Sequence, residues 1–234
     1  MLRSLFLAAT CMAFMASGAD RPLRKPVLVE LFTSEGCSSC PPADRQLQLL
    51  DPQVVVLSEH VDYWDQLGWK DKFSSPEMTH RQEGYVKTFG IEGPYTPQMV
   101  VDGAAQFTGG DGRQAAAEIE KAASRPKATV VLARTASGVK VEIEAVPHEA
   151  DIWVAVADNS DQTRVGAGEN RGHTLSHVSV VRSLHKIGYV KRGGTFSRQI
   201  DLPSFGDGQR VVVFLQESGQ GRVWGAAVLP SAGI

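Results

Sequence analysis

Cys37 and Cys40, separated only by Ser38-Ser39, are the residues of this chain with the most chemistry to offer. They follow a short apolar run, Val27 to Phe32, and stand just before a helical stretch that begins near Ala43. A C-x-x-C pair at such a junction puts its first sulfur at a helix N-terminus, where unpaired N–H groups and the helix dipole favour a thiolate. A thiolate beside a second thiol performs disulfide exchange: one sulfur attacks and the other resolves the mixed disulfide. Cys37 is the expected nucleophile and Cys40 the resolving thiol. Three features temper this. Glu35 is a like charge two residues before Cys37 and disfavours a thiolate. Pro41 and Pro42 fit a helix's first turn but bring no N–H. Ser38-Ser39 supplies no cation.

Other chemistries compete for the same residues. A permanent disulfide is one, although a loop this small restricts the unfolded chain little. Zinc is another, and it needs two further ligands. His173-x-x-x-His177 offers the only tempting pair, far beyond Cys40 and outside finger spacing. Gly109-Gly110-Asp111-Gly112 lacks the lysine of a phosphate-binding loop and reads as a strand-to-helix turn. Glu169, Asn170 and His173 form a polar cluster without a nucleophile pattern, and no chemical role follows from it.

The elements that must position the cysteines fall into two halves. Residues 26–124 alternate strand-like and helix-like stretches: Val27–Phe32, a helix over Ala43–Leu50, a β-branched run over Val54–Val61, and broken helices from Tyr63 to Phe89 around Gly68, Pro76 and Gly84. Asp102-Gly103 between two strand-like runs predicts a hairpin, and Arg113–Ala123 reads as a helix. After a linker at Ser124–Lys127 the period becomes two. Strands are predicted at Thr129–Arg134, Val139–Ala145, Asp151–Ala157, Leu175–Val181, Thr195–Ile200, Arg210–Gln216 and Val223–Leu229, the pattern of a β-sandwich or barrel.

The N-terminus has the three parts of a secretory leader: Arg3 in a basic start, an apolar Leu5–Met15, and a small-residue site at Ser17-Gly18-Ala19. Cleavage after Ala19 and a secreted or periplasmic location are expected, where disulfides can form. Lysine and arginine number 24 against 26 aspartate and glutamate. That balance gives no reason to expect nucleic acid or an anionic membrane as partner. The expected organisation is a signal peptide over 1–19, a domain over 20–125 and a second over 126–234.

The first half resembles the thioredoxin fold, and the whole mature chain resembles an uncharacterised family of bacterial secreted thioredoxin-like proteins that carry a CxxC motif. The residues that carry this are the run Glu30 to Asp44 with the CxxC inside it, His60 to Asp65 with Leu67-Gly68-Trp69, Tyr95-Thr96-Pro97-Gln98, and Glu169-Asn170-Arg171-Gly172. The resemblance implies an α/β thioredoxin-like domain followed by an all-β sandwich-like domain. It also implies a cis bond at Thr96–Pro97 that presents Thr96 to a substrate chain, and a proton-transfer role for Glu30 beside the resolving cysteine. Tyr63, Trp64 and Trp69, with His60 and Asp62, are expected to pack the intervening helices, or else to meet an unfolded partner.

Together these give an exported thiol–disulfide oxidoreductase acting on a dithiol or disulfide protein, or on a small thiol, without an organic cofactor. The catalytic set would be Cys37, Cys40, Thr96, Pro97 and Glu30. The alternative is a non-catalytic binding protein for a protein, glycan or metal, with a structural or regulatory disulfide.

Overall fold

The computed structural model describes residues 25–202 and 205–231, so the leader expected at 1–19 lies outside the described residues. Strand β1 (Lys25–Thr33) is buried from Val27 onward, as its apolar run requires. Helix α1 (Pro41–Leu50) follows the CxxC and buries Ala43, Asp44, Leu47 and Leu50 along one stripe. Strand β2 (Val54–His60) is buried throughout and lies parallel to β1. Helix α2 (Pro76–Phe89) starts where the Ser75 hydroxyl accepts the Met78 N–H and stops at Gly90, which takes the left-handed conformation. The region from Tyr63 to Phe89 thus holds a loop and a single helix, with Gly84 inside it.

The hairpin at Asp102-Gly103 joins β3 (Gln98–Val101) to β4 (Ala105–Thr108), and both turn residues have positive φ. Helix α3 (Gly112–Ala123) is capped by Asp111, whose carboxylate accepts the Arg113 and Gln114 N–H groups, each at 3.0 Å. The remaining strands are β5 (Thr129–Arg134), β6 (Gly138–Glu144), β7 (Ala150–Arg164), β8 (Thr174–Val190), β9 (Phe196–Asp201), β10 (Gln209–Gln216) and β11 (Val223–Leu229).

The expectation of an α/β thioredoxin-like domain followed by an all-β sandwich-like domain is overturned. The molecule is mostly β, and one eight-stranded mixed sheet runs β11-β10-β7-β8-β2-β1-β3-β4 through both halves of the chain. The join is β2 beside β8, parallel, with Ser58 paired to Val180. Strands β7 and β8 form a long hairpin, extending well past the short alternating runs that mark them in sequence. A three-stranded sheet, β5-β6-β9, packs its Val139, Val141 and Ile143 on Ile152, Val154, Val211 and Val213 of the large sheet. Helices α1 and α3 cover one face at β1 and β3 through Leu31, Leu47, Met99 and Ile119. The sheet also curls. Its edge strand β11 comes back against β1, and the Val223 N–H donates to the carbonyl of Asp102 in the β3–β4 turn at 2.8 Å.

Candidate functional site

Cys37 and Cys40 form a disulfide with Cα atoms 5.4 Å apart, at the C-terminal end of β1. Both are fully buried, while Ser38 and Ser39 between them are exposed. The turn is held locally: the Cys37 N–H donates to the Ser34 carbonyl and the Cys40 N–H to the Cys37 carbonyl, each at 3.2 Å. Cys40, not Cys37, is the N-cap residue of α1. Pro41 and Pro42 carry no N–H, and those of Ala43 and Asp44 both donate to the Cys40 carbonyl, at 2.8 and 3.1 Å. The first turn of α1 therefore has no spare amide for a cysteine thiolate. That differs from the ordinary helix N-terminus the motif suggests.

The β7–β8 connection is hydrogen-bonded to the disulfide loop. The Asn170 side-chain amide donates to the Glu35 carbonyl at 2.8 Å and to the Cys37 carbonyl at 2.9 Å. The Glu169 carboxylate accepts the Ser38 N–H at 3.1 Å. The Ser38 hydroxyl, and then this backbone bond, hold Glu169 below the usual carboxylate range although the residue is exposed. Trp69 fastens the cover from the side: its indole donates to Glu35 Oε2 at 2.8 Å, and its side chain packs on Gly166 and Gly168. Gly168 has φ +71° and leaves only 3.1 Å between an added Cβ and Trp69, so both conformation and space call for glycine there. The polar cluster without a chemical role in the sequence is thus the clamp on the disulfide loop. Its signal was the recurrence of Glu169–Gly172 alongside the CxxC in the resemblance.

Behind the disulfide loop lies a buried cluster of acids and imidazoles. Glu35, Asp44, His60, Asp71 and His177 are each at most 4% exposed. Asp44 accepts the Thr33 hydroxyl at 2.9 Å, and Asp71 accepts the Glu35 N–H at 2.9 Å and pairs with His60 Nδ1 at 2.6 Å. His177, from β8, stands between two carboxylates. Its Nε2 is 3.8 Å from Glu35 Oε1 and its Nδ1 is 3.8 Å from Asp44 Oδ1, ion-pair distances too long for hydrogen bonds. The His60 and His177 rings meet edge to face at 4.6 Å. Burial pulls the His177 imidazolium down, but the flanking Asp44 and Glu35 outweigh it and lift its pKa to about 9. Burial pushes Glu35 and Asp71 up; His177 and Trp69 for the one, and His60 for the other, hold each below the usual range.

The sequence-expected residues distribute unevenly. Thr96–Pro97 is cis, as the resemblance implies. Thr96 Oγ1 accepts the Trp64 indole N–H at 2.8 Å. Gly109 lies where an added Cβ would strike both Ala43 and Pro97, so the proline approaches the first turn of α1. Glu30 is elsewhere. Leu31 packs with Ala43 and Leu47 of α1, so strand alternation turns Glu30 to the opposite face, where it accepts from Arg81 and Tyr85 of α2. Tyr63 donates to Gln82 at 3.2 Å. His173 is exposed ahead of β8 while His177 is buried within it, so the two share no strand face. Among the described residues no group of three or more His, Cys, Asp or Glu side chains is arranged to hold a metal ion.

A curled β-rich sheet with a clamped CxxC disulfide at a strand–helix junction defines the class. Within it, the chain belongs to the family described as "Protein of unknown function (DUF1223)", matched over residues 28–216. The crystal structure of a protein from Agrobacterium tumefaciens is similar over 91% of this chain and 97% of its own, with 29% identity and a TM-score of 0.78. HBP35 of Porphyromonas gingivalis is similar over 90% of this chain and 78% of its own, with 18% identity and a TM-score of 0.57, a likeness of fold alone. No curated protein matches the chain.

Proposed function

We propose that this protein exchanges disulfides at Cys37–Cys40 with a dithiol or disulfide protein, or with a small thiol, in an exported location. The observation that carries the reading is the placement of the pair: a disulfide at a strand–helix junction backed by titratable side chains. A partner thiolate attacks Cys37 Sγ, the Cys37–Cys40 bond breaks, and the electron pair leaves on Cys40. A second partner thiolate then attacks the partner's sulfur in the mixed disulfide, and Cys37 leaves with the electron pair. In the reverse direction Cys37 attacks a partner disulfide and Cys40 resolves the mixed disulfide. We assign the partner's approach to the side of Thr96 and Pro97, next to the first turn of α1. The sulfurs have no exposure, so exchange requires the Glu169–Asn170 clamp to lift first.

The test is the reduction potential of the pair, from graded glutathione buffers with alkylation and mass counting. A reversible value between roughly −120 and −270 mV supports exchange. Cys37→Ser should then abolish exchange with a test disulfide while the protein keeps its melting temperature. Full burial of both sulfurs favours a second reading, a binding protein with a structural disulfide. A pair that stays oxidised below roughly −300 mV would decide for that reading.

A further inference from the structure

Opening the disulfide leaves a thiolate on Cys40, and its surroundings offer that charge little support. The first turn of α1 has no spare N–H. Asp44, four residues on along the same helix face and 4% exposed, is a like charge. A buried thiolate in that setting needs a proton, and the acid that holds one lies behind Asp44. His177 is ion-paired to Asp44 on one ring nitrogen and to Glu35 on the other. Neither ring nitrogen is hydrogen-bonded, and Asp44 Oδ2 has no partner either. Such unpartnered buried atoms are costly in a merely structural cluster, and they are the ones a moving proton would use. A groove of about 460 Å³, lined by Gln48, Asp161, Gln162 and Ser176, borders the His177 residue, while its imidazole is itself sealed from solvent.

We propose that His177, acting through Asp44, supplies the proton that Cys40 takes up when a partner thiolate opens the disulfide. This rests on the exchange reading and deepens it. The partner sulfur bonds to Cys37 and is oxidised to the mixed disulfide; Cys40 takes the electron pair. Asp44 passes a proton from the His177 imidazolium to the Cys40 sulfur, leaving a neutral imidazole. A second thiolate of the partner then attacks the partner's own sulfur in the mixed disulfide, and Cys37 leaves with that electron pair. In the reverse direction, where Cys37 has attacked a partner disulfide, Cys40 gives its proton back along the same path as it attacks Cys37 Sγ, and the partner leaves as a thiolate. His177 is a positioning and proton-holding residue rather than one that touches the sulfurs.

Several titratable groups face His177. They are Asp44 from α1, Glu35 from the disulfide loop, His60 from β2 with Asp71 behind it, and Asp161, its cross-strand partner on β7. Phe73 packs on the ring and carries Lys72 and Arg182 on its own faces. Glu35 and Asp44, on the two ring nitrogens, favour the imidazolium.

The experiment compares the rate at which dithiothreitol reduces the native disulfide in wild type and in His177→Gln, at pH values from neutral to above the His177 value of about 9. We expect the variant to be slower by about 10²-fold at neutral pH, and the two proteins to converge where His177 is deprotonated. Equal rates at every pH, or one uniform slowing with no convergence, would overturn the proposal. Should the variant fail to fold, imidazole titration of the wild type by NMR decides: different His177 pKa values in the disulfide and dithiol forms support it, identical values sink it. A wild-type disulfide that dithiothreitol does not reduce under native conditions would instead defeat the exchange reading, and this assignment with it.

Discussion

Two buried charge clusters lie on opposite faces of the sheet at β1 and β2, and Glu59 and His60, adjacent in sequence, belong one to each. On the α2 face, Arg81 Nε donates to Glu30 at 2.7 Å and stands 3.4 Å from Glu59 Oε1. Tyr85 donates to the other Glu30 oxygen, and Gln216 donates to the Tyr85 hydroxyl at 2.8 Å. On the α1 face, Asp44, Glu35 and Asp71 surround two histidines and the disulfide loop. Both clusters are sealed from water, so burial of charge does not distinguish them. The cation does. Arginine keeps its proton at any pH a protein survives, whereas histidine can release one. The first cluster is built to hold a helix against a sheet, the second to gain and lose a proton next to sulfur.

The sharpest break of this comparison is Arg81→Ala. Removing the cation that pairs with Glu30 and Glu59 leaves buried acid unpaired, and a loss of about 3–5 kcal/mol is expected by denaturant unfolding. The pH profile of disulfide reduction in any protein that still folds should keep its wild-type shape, because the His177 cluster lies across the sheet. A profile that changed shape would join the two clusters into one system.

The second prediction concerns pH. His177 carries a folded-state pKa of about 9, above its ordinary value of 6.5. The stability this contributes is fully present below the unfolded value and is lost as pH rises through the folded one. Unfolding free energy should therefore fall by about 3 kcal/mol between those two pH values in wild type. His177→Gln should flatten that fall. An equally steep fall in the variant would place the titration elsewhere.

Next in size is the clamp. Asn170→Ala removes two hydrogen bonds to the disulfide loop, worth together about 1–3 kcal/mol. Reduction by dithiothreitol should speed up roughly tenfold, with the melting temperature lowered by only a few degrees. An unchanged rate would mean that the cover does not control access. The smallest effect is expected at Glu59. Burial, and then the neighbouring Glu30 carboxylate, push its pKa well above the usual range against the pull of Arg81, which favours the neutral form. Glu59→Gln keeps that neutral form and should shift stability by under about 1 kcal/mol, in either direction. A large loss would show that Glu59 carries charge after all, and would weaken the contrast between the clusters.

Much of this molecule was legible as local pattern. The strand before the CxxC, the helix after it, the Asp102-Gly103 hairpin and the seven later strands all follow from apolar period and turn chemistry, and the structure moves their ends more than their identity. The disulfide itself was a matter of spacing. The site's partners were not legible. Glu30 looked like the acid for Cys40 because it lies on the strand leading to it, yet alternation along β1 turns it to α2. Asp44 carried a usable signal, since four residues after Cys40 on a helix is the same face.

Local spacing by itself determined which residues can do sulfur chemistry and which elements flank them, because helix and strand periods are set by nearest neighbours along the chain. Only the tertiary structure decided that both halves share one sheet, that Asn170 closes over Cys37, and that His177 stands between Asp44 and Glu35. Those contacts span more than a hundred residues in all three cases. They depend on β8 pairing with β2, a choice made by packing two hydrophobic faces that no local period encodes.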